Sequence, residues 1–170
     1  MEYADTTLYK HITQNNQKLT FEERKSLYHQ IIKGFEYLEE KNILHRDIAP
    51  NNVLLKKYDN INVIKIADFG IVKLNDSLLT SNSTEIRGYF NDHSGLQRVG
   101  FNNYDFKFEG YSLCKLLYFV LTGRCSDFTK FNFDNLENFM NQGTHPDVNQ
   151  RFINIQELKM AFSRIKPKSI

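Results

Sequence analysis

A single segment, from Tyr111 to Leu121, restricts the fold of this chain more than any other. When it is placed on a helix, its large side chains are apolar on nearly every face. They are Leu113, Leu116, Leu117, Phe119, Val120 and Leu121. A helix of that kind has to be buried, yet its longest uninterrupted apolar stretch, residues 116–121, is far too short to cross a bilayer. The segment therefore predicts a central helix with the rest of the domain packed around it, and no membrane span.

The size and composition of the chain agree with one domain built around such a helix. A chain of 170 residues, 41% hydrophobic and 25% charged, lies in the range of soluble globular proteins. The net charge is only +2, and lysine and arginine are scattered rather than clustered, which argues against nucleic-acid binding. No secretory signal is visible, and the two cysteines, Cys114 and Cys125, read as reduced thiols. We expect a single cytoplasmic domain.

Hydrophobic spacing predicts two further helices. Thr20 and Glu23 fit a capping box, and behind them apolar residues recur at helical spacing until Lys41. A last helix begins near Asn154, which resembles a cap, and ends before Pro167.

Short strands and loops account for the rest of the predicted fold. Residues 52–56 and 62–66 are rich in β-branched side chains, which predicts two strands joined by a turn. Residues 75–84 are rich in Ser, Thr and Asn and predict a surface loop with accessible hydroxyls. The aromatic residues of 128–139 are expected to pack in small helices. The fold class is therefore mainly α with a small β element.

Two polar loops carry the residues best suited to chemistry. The first follows the capped helix and reads His-Arg-Asp-Ile-Ala-Pro-Asn-Asn over residues 45–52, and the second is Asp-Phe-Gly at residues 68–70. The oxygens of Asn52 and Asp68 are hard ligands that suit Mg²⁺, a cation that also binds substrate phosphates. Asp47 is then left to take the proton of a nucleophile.

The order His-Arg-Asp, then Asn five residues after the Asp, then Asp-Phe-Gly resembles the catalytic and metal-binding loops of eukaryotic-type protein kinases. The resemblance continues along the chain, since residues 1–5 resemble the hinge between kinase lobes and residues 105–122 the long central helix. Arg151 is similar to a structural arginine of the family. The resemblance implies a protein-kinase-like C-terminal lobe from the hinge onward, with a catalytic loop at 44–52 and an activation segment at 68–93.

The resemblance also implies a role for each matching residue. Asp47 would accept the proton of the substrate hydroxyl, while Asn52 and Asp68 would hold the Mg²⁺ ions that bridge the phosphates of ATP. The residues implied to contact ATP are Glu2, Ala4, Leu54 and Asp68, with Asp5 a weaker candidate for the ribose. The residues implied to support the loops are His45, Arg46, Phe69, Gly70, Glu109 and Arg151. Among these, His45 would stack with Phe69, and Arg46 would await a negative partner such as a phosphorylated hydroxyl.

Several positions depart from the pattern of the family. Ala49 replaces the lysine that Ser/Thr kinases usually carry two residues after the catalytic Asp. The acidic partner expected for Arg151 is missing at its place, and Asp92 is the neighbouring residue that can compensate. Glu109 takes the place of an Asp that hydrogen-bonds the catalytic loop, and Cys114 the place of a Gly. These changes indicate a divergent branch of the family.

The phosphate-binding elements that kinases place before the hinge have no counterpart in this sequence. They are a glycine-rich loop and a lysine paired with a glutamate. The eight glycines form no Gly-x-Gly arrangement, and every lysine follows the hinge-like residues. We therefore expect the chain alone to bind ATP–Mg²⁺ weakly and to show little activity, and a second lobe or partner protein to cover its exposed groove.

The function implied is ATP-dependent phosphorylation of hydroxyls on a protein substrate, with the choice between Ser/Thr and Tyr left open. A pseudokinase or interaction module is one alternative; the absent lobe favours it, and the presence of Asp47, Asn52 and Asp68 argues against it. A small-molecule phosphotransferase of the antibiotic-kinase kind is the other. Such enzymes usually lack both the arginine after the histidine and the Phe-Gly after the metal-binding aspartate.

Overall fold

The computed structural model of the chain describes residues 4–59, 61–68 and 88–168. These residues form six α-helices and five short strands. In chain order they are β1 (Thr6–Thr7), α1 (Leu8–Asn15), α2 (Phe21–Glu40), β2 (Val53–Tyr58), β3 (Ile61–Ile66), α3 (His93–Val99), α4 (Phe106–Thr122), β4 (Phe133–Asp134), α5 (Leu136–Gly143), α6 (Ile155–Ser163) and β5 (Lys166–Pro167). Two single turns of 3₁₀ helix lie at Phe101–Asn103 and Val148–Gln150. The described part is thus mostly helical with little sheet.

Helix α4 is the buried centre that the apolar run predicts. The side chain of Asp105 caps its first turn by accepting from the Lys107 N–H at 2.9 Å. Gly123 ends it in the left-handed conformation, with φ 75°, which a glycine adopts at little cost. Six successive residues are fully or almost fully shielded from solvent, namely Leu116, Leu117, Tyr118, Phe119, Val120 and Leu121. Helices α2, α5 and α6 pack around α4.

Helix α2 has the capped start that its sequence predicts. Thr20 and Glu23 form a complete capping box, in which the Thr20 hydroxyl accepts from the Glu23 N–H and the Glu23 carboxylate accepts from the Thr20 N–H. Its buried face packs against α4, α6 and β3. The helix ends at Glu40, immediately before the loop that holds the candidate site.

The main sheet has three strands, whereas the sequence predicted two. β1 pairs with β2 through Thr6 opposite Leu55, and β2 pairs with β3 from Val53 opposite Ile66 outward, both antiparallel. The two-residue strand β1 has no period that a sequence pattern could reveal, so the prediction missed it. A second sheet joins β4 to β5. The three-stranded sheet connects the start of the chain to both polar loops.

Three helices were not predicted individually: α1, α3 and α5. Within the expected aromatic segment, Phe139 is buried on α5, while Phe128 is half-buried and contacts Tyr118 edge-on. The loop predicted at residues 75–84 lies outside the described residues.

Of the helices described, none has the combination of length and apolar character needed to cross a membrane. Both cysteines are free thiols.

Cys114, on α4, fits because Gly143 lies opposite it on α5. A Cβ added to Gly143 would overlap the sulfur of Cys114 and lie 3.0 Å from its Cβ and 3.2 Å from a ring carbon of Phe152. We expect Gly143→Ala to destabilise the chain by about 1–3 kcal/mol, the usual cost of overpacking a core. Adding Cys114→Ala should recover much of that loss, because the sulfur is removed.

Urea denaturation of the single and double variants measures this coupling. Cys125→Ala, at the other, half-buried thiol, is the matched control and should add its effect independently. Additive effects of Gly143→Ala and Cys114→Ala would contradict the packing interpretation.

Candidate functional site

The loop between α2 and β2 is anchored to the central helix by one buried carboxylate. Glu109, which is 2% exposed, accepts from the His45 N–H at 2.6 Å and from the Arg46 N–H at 3.1 Å. The hydroxyl of Tyr104 donates to the same carboxylate at 2.8 Å. The sequence pattern has an aspartate where this chain has Glu109. The longer side chain still anchors the loop, because each of its two carboxylate oxygens accepts a hydrogen bond from it.

The protonation of this buried cluster follows from its surroundings. Burial raises the pKa of Glu109, while the hydrogen bonds from the His45 N–H, the Tyr104 hydroxyl and the Arg46 N–H act against that rise. Burial and the neighbouring Glu109 raise the pKa of Tyr104 well above its ordinary value. Tyr104 therefore keeps its proton and remains a hydrogen-bond donor.

His45 links the two polar loops. Its Nδ1 accepts from the Asp47 N–H at 3.3 Å, and its Nε2 lies 2.8 Å from the Ala67 carbonyl oxygen. A carbonyl only accepts, so Nε2 is the nitrogen that carries a proton in this contact. The ring is 1% exposed and its centroid lies 6.2 Å from that of Phe35. The expected stacking partner Phe69 is outside the described residues, and so is Gly70.

The three residues predicted to carry the chemistry come from the ends of these loops. The side-chain amide of Asn52 donates to the Asp47 carbonyl at 2.8 Å and to the Asp47 carboxylate at 3.2 Å. The Ala67 N–H donates to the Asn52 carbonyl at 2.8 Å, and Asp68 is the residue that follows Ala67. Asp68 is exposed and left-handed, with φ 62°. Asp47 and Asn52 are thus in direct contact, and Asp68 is one residue beyond a backbone bond to Asn52.

The donor set at this position suits a hard divalent cation. The Asn52 amide nitrogen is committed to Asp47, so its oxygen is the atom left for a ligand. Together with the Asp68 carboxylate it offers oxygens of the kind Mg²⁺ prefers, in the small number it takes while keeping waters. Over the described ranges, no group of three or more His, Cys, Asp or Glu side chains is arranged to hold a metal.

The guanidinium of Arg46 packs against two aromatic rings. It is 5% exposed, and its guanidinium carbon is 5.4 Å from the Phe101 ring centroid and 5.6 Å from that of Tyr104, within the range of cation–π attraction. Among the described residues no acceptor bonds its Nε. Burial lowers the pKa of this guanidinium. The negative partner expected from the sequence is not among these contacts.

Arg151 and Asp92 form a buried ion pair. Arg151 donates to the Asp92 carboxylate at 2.6 Å, with the two side chains 2% and 10% exposed. Its Nε donates to the His145 carbonyl at 2.7 Å, and its guanidinium carbon lies 4.6 Å from the Tyr111 ring centroid. Asp92 also accepts from the Gly95 N–H at 2.9 Å. The compensation expected from the neighbouring position is therefore present.

The residues expected to contact a nucleotide are only partly described. Glu2 lies outside the described residues, while Ala4 and Leu54 are both half-buried. The carboxylate of Asp5, the ribose candidate, accepts from the Lys57 N–H at 2.7 Å and lies 3.8 Å from the Lys56 ammonium. Asp5 is thus engaged with β2.

Sequence reasoning missed the buried polar residues that connect the segment from residue 88 onward to the loop between α2 and β2. Asn91 donates to the Arg46 carbonyl at 2.8 Å, and Ser112 donates to the Asn91 side-chain oxygen at 2.9 Å. Gly88 lies so close that an added Cβ would be 3.1 Å from an Asp47 carboxylate oxygen. Only the fold brings these positions together, and no local spacing reveals them.

Comparison with known proteins agrees with these motifs. The sequence profile of the protein kinase domain matches residues 1–162. A probable serine/threonine-protein kinase of Dictyostelium discoideum, nek3, is 31% identical over 175 aligned positions, which cover 99% of this chain and 15% of that protein. A probable serine/threonine-protein kinase of Clostridium perfringens is 31% identical over 123 positions, covering 72% of this chain and 17% of the relative.

A third relative matches only part of the chain. The carbon catabolite-derepressing protein kinase of Candida glabrata is 41% identical over 71 residues, 42% of this chain and 11% of the relative. The chain spans less than a fifth of the length of each of these three relatives. The profile match extends over nearly the whole chain, and the chain therefore belongs to the protein kinase family.

Proposed function

We propose that this chain is the C-terminal lobe of an ATP-dependent protein kinase that phosphorylates serine or threonine hydroxyls of a protein substrate. The observation that carries the proposal is the direct contact of Asn52 with Asp47, with Asp68 one residue beyond the backbone bond between the two loops. Serine or threonine is chosen as the acceptor because relatives of the chain are named serine/threonine-protein kinases.

In this function each residue of the site has one task. The carboxylate of Asp47 accepts the proton of the attacking hydroxyl, while the new O–P bond forms and the bond from the γ-phosphorus to the ADP oxygen breaks. Asn52 and Asp68 would hold Mg²⁺, which would neutralise charge on the phosphates. His45 and Glu109 act at a distance by fixing the loop from which Asp47 projects. Leu54 and the backbone of Ala4 are proposed to contact the adenine.

The phosphate-covering loop and its lysine have to be supplied to this lobe. We expect the 170-residue chain to bind ATP–Mg²⁺ weakly and to transfer little phosphate, because the residues that cover the phosphates in kinases are not among its motifs. Joining it to the amino-terminal lobe of a related protein kinase gives what we call the completed kinase. Calorimetry with ATP–Mg²⁺ and transfer of labelled phosphate to a protein substrate, for both forms, test the proposal.

The outcomes of this experiment separate the candidate functions. Turnover by the completed kinase supports the proposal, and micromolar affinity with strong turnover by the chain alone would contradict the need for a second lobe. ATP binding without turnover in the completed kinase would favour a pseudokinase or interaction module. Transfer to small-molecule hydroxyls but not to protein would favour a small-molecule phosphotransferase.

A further inference from the structure

The peptide unit between Arg46 and Asp47 sets the direction in which the Asp47 side chain leaves the loop. Arg46 has a left-handed backbone, with φ 66°, a conformation that is unfavourable for a residue with a Cβ. Such a residue persists only where the surrounding structure holds it in place. The contacts of this peptide unit therefore decide how precisely Asp47 is oriented.

Each end of the peptide unit has one side-chain partner. On one side, the Asp47 N–H donates to His45 Nδ1 at 3.3 Å. On the other, the Arg46 carbonyl accepts from Asn91 Nδ2 at 2.8 Å. The plane of the peptide is thus fixed by a residue of the loop itself and by a residue of the segment that precedes α3.

Asn91 is itself held in one orientation. It is 3% exposed, and its side-chain oxygen accepts from the hydroxyl of Ser112, a residue of α4 with no exposed surface. Its backbone N–H donates to the Gly88 carbonyl at 3.3 Å. Because the amide nitrogen faces a carbonyl and the oxygen faces a hydroxyl, a flip of the amide would place two acceptors against each other.

Gly88 provides the space in which this contact forms. An added Cβ there would lie 2.5 Å from Asn91 Nδ2 and 3.1 Å from an Asp47 carboxylate oxygen. The residue also has φ 99°, which strains any other side chain. Asn91, Gly88 and Asp47 therefore form one packed unit.

We propose that Asn91 is a positioning residue for phosphotransfer: it joins the central helix, through Ser112, to the peptide unit that carries Asp47. The catalytic part of this inference rests on the proposed function of Asp47 as the proton acceptor. The structural part, that Asn91 orders residues 45–47, stands on the hydrogen bonds alone. The two parts can be tested separately.

Hydrogen exchange in the full 170-residue chain tests the structural part without any activity. Asn91→Asp keeps the acceptor for Ser112 but replaces the donor to Arg46 by an acceptor. The amides of Arg46 and Asp47 should then exchange roughly tenfold faster, the effect of losing one buried hydrogen bond. Asn135→Asp is the matched control, because the Asn135 side chain also donates to a backbone carbonyl, that of Arg164 at 3.0 Å, far along the chain from the site. It should leave both amides unchanged.

Two milder variants keep the test informative if Asn91→Asp folds poorly. Ser112→Ala removes only the group that holds Asn91, and Asn91→Ala removes the donor without adding a charge. Each should speed exchange at the same amides, and the double variant should do little more than Asn91→Ala alone. Unchanged exchange in folded Asn91→Ala would overturn the inference.

Kinetics of the completed kinase test the catalytic part. Asn91→Ala should lower kcat roughly tenfold and leave KM for ATP unchanged, since the contact orients Asp47 and touches no nucleotide group. If Asn91→Ala lowered kcat and the affinity for ATP equally, the positioning role would be overturned. The same would follow if kcat were unaltered although the Arg46 and Asp47 amides exchanged faster. A wild-type completed kinase without turnover would instead overturn the proposed function, and the exchange experiment would then decide whether Asn91 orders the loop.

Discussion

Replacing Asp47 with asparagine is expected to lower the turnover of the completed kinase by roughly 10²- to 10⁴-fold, the usual range for a general acid–base group. An amide cannot accept the proton of the attacking hydroxyl. The fold should tolerate the change, because an amide oxygen at position 47 can still accept from Asn52, whose nitrogen lies 3.2 Å from the present carboxylate. Initial rates at saturating ATP–Mg²⁺ measure the effect.

Asp134→Asn is the control for this substitution. Asp134 is exposed on β4, a strand that pairs with β5, so its replacement should leave turnover unaltered. The urea midpoint of Asp47→Asn should match that of the wild type, which would show that the loss is chemical. Near-normal turnover in this variant would remove Asp47 from the mechanism.

Asp92→Asn is expected to produce the largest loss of stability, about 3–5 kcal/mol in the free energy of unfolding, as for a buried ion pair that loses one partner. The variant leaves the Arg151 guanidinium buried with no counter-charge from position 92. Arg151 already has an Nη1 without a hydrogen-bond partner among the described residues. Urea denaturation of the chain, followed by circular dichroism, measures the difference.

The exposed pair of Glu22 and Lys25 supplies the matched control. Its nitrogen and oxygen are 3.8 Å apart, and the two side chains are 77% and 42% exposed. Glu22→Gln should change the stability by less than about 1 kcal/mol, because solvent screens such pairs. If both substitutions have equal small effects, the Asp92–Arg151 pair is not a stabilising contact.

Because of the Asp92–Arg151 ion pair, we also expect the stability of the chain to depend on pH in the acid range. Burial acts to raise the pKa of Asp92, but the hydrogen bonds from Arg151 and the Gly95 N–H, with the charges of Arg151 and Arg98, outweigh it and hold the pKa below its ordinary value of 3.8. A carboxyl with a depressed folded pKa contributes its stability fully above the unfolded value and loses it as the pH falls through the folded one. The stability difference between wild type and Asp92→Asn should therefore shrink below about pH 3.8.

The helices and strands that could be predicted are those whose sequence signals lie within the element itself. Helix α2 is predicted because a capping box and an apolar stripe occupy the same stretch of sequence, and α4 because its run of large apolar residues has only the core to occupy. Strands β2 and β3 were placed within two residues of their observed ends. Each of these signals is complete within about ten to twenty residues.

The missed elements depend on contacts between distant parts of the chain. β1 exists because Thr6 and Thr7 pair with β2, and a run of two β-branched residues is too short to predict a strand from the sequence. In the site, the motif indicates Asp47, Asn52 and Asp68, because their spacing is local. It does not indicate Asn91 or Ser112, whose partners lie 45 and 21 residues away. Side chains that act across the fold have no periodic signature.

The fit between Cys114 and Gly143 has a consequence for how such a chain changes over generations. A sulfur at position 114 fits without overlap only while position 143 has no side chain. A cysteine on α4 and a glycine on α5 therefore fit each other, and a side chain added at position 143 costs less stability if the sulfur has been removed first. Once both are present, Gly143 cannot be replaced alone without crossing an overpacked intermediate. The side chains at positions 114 and 143 are therefore expected to change together, since each sets the space that the other can fill.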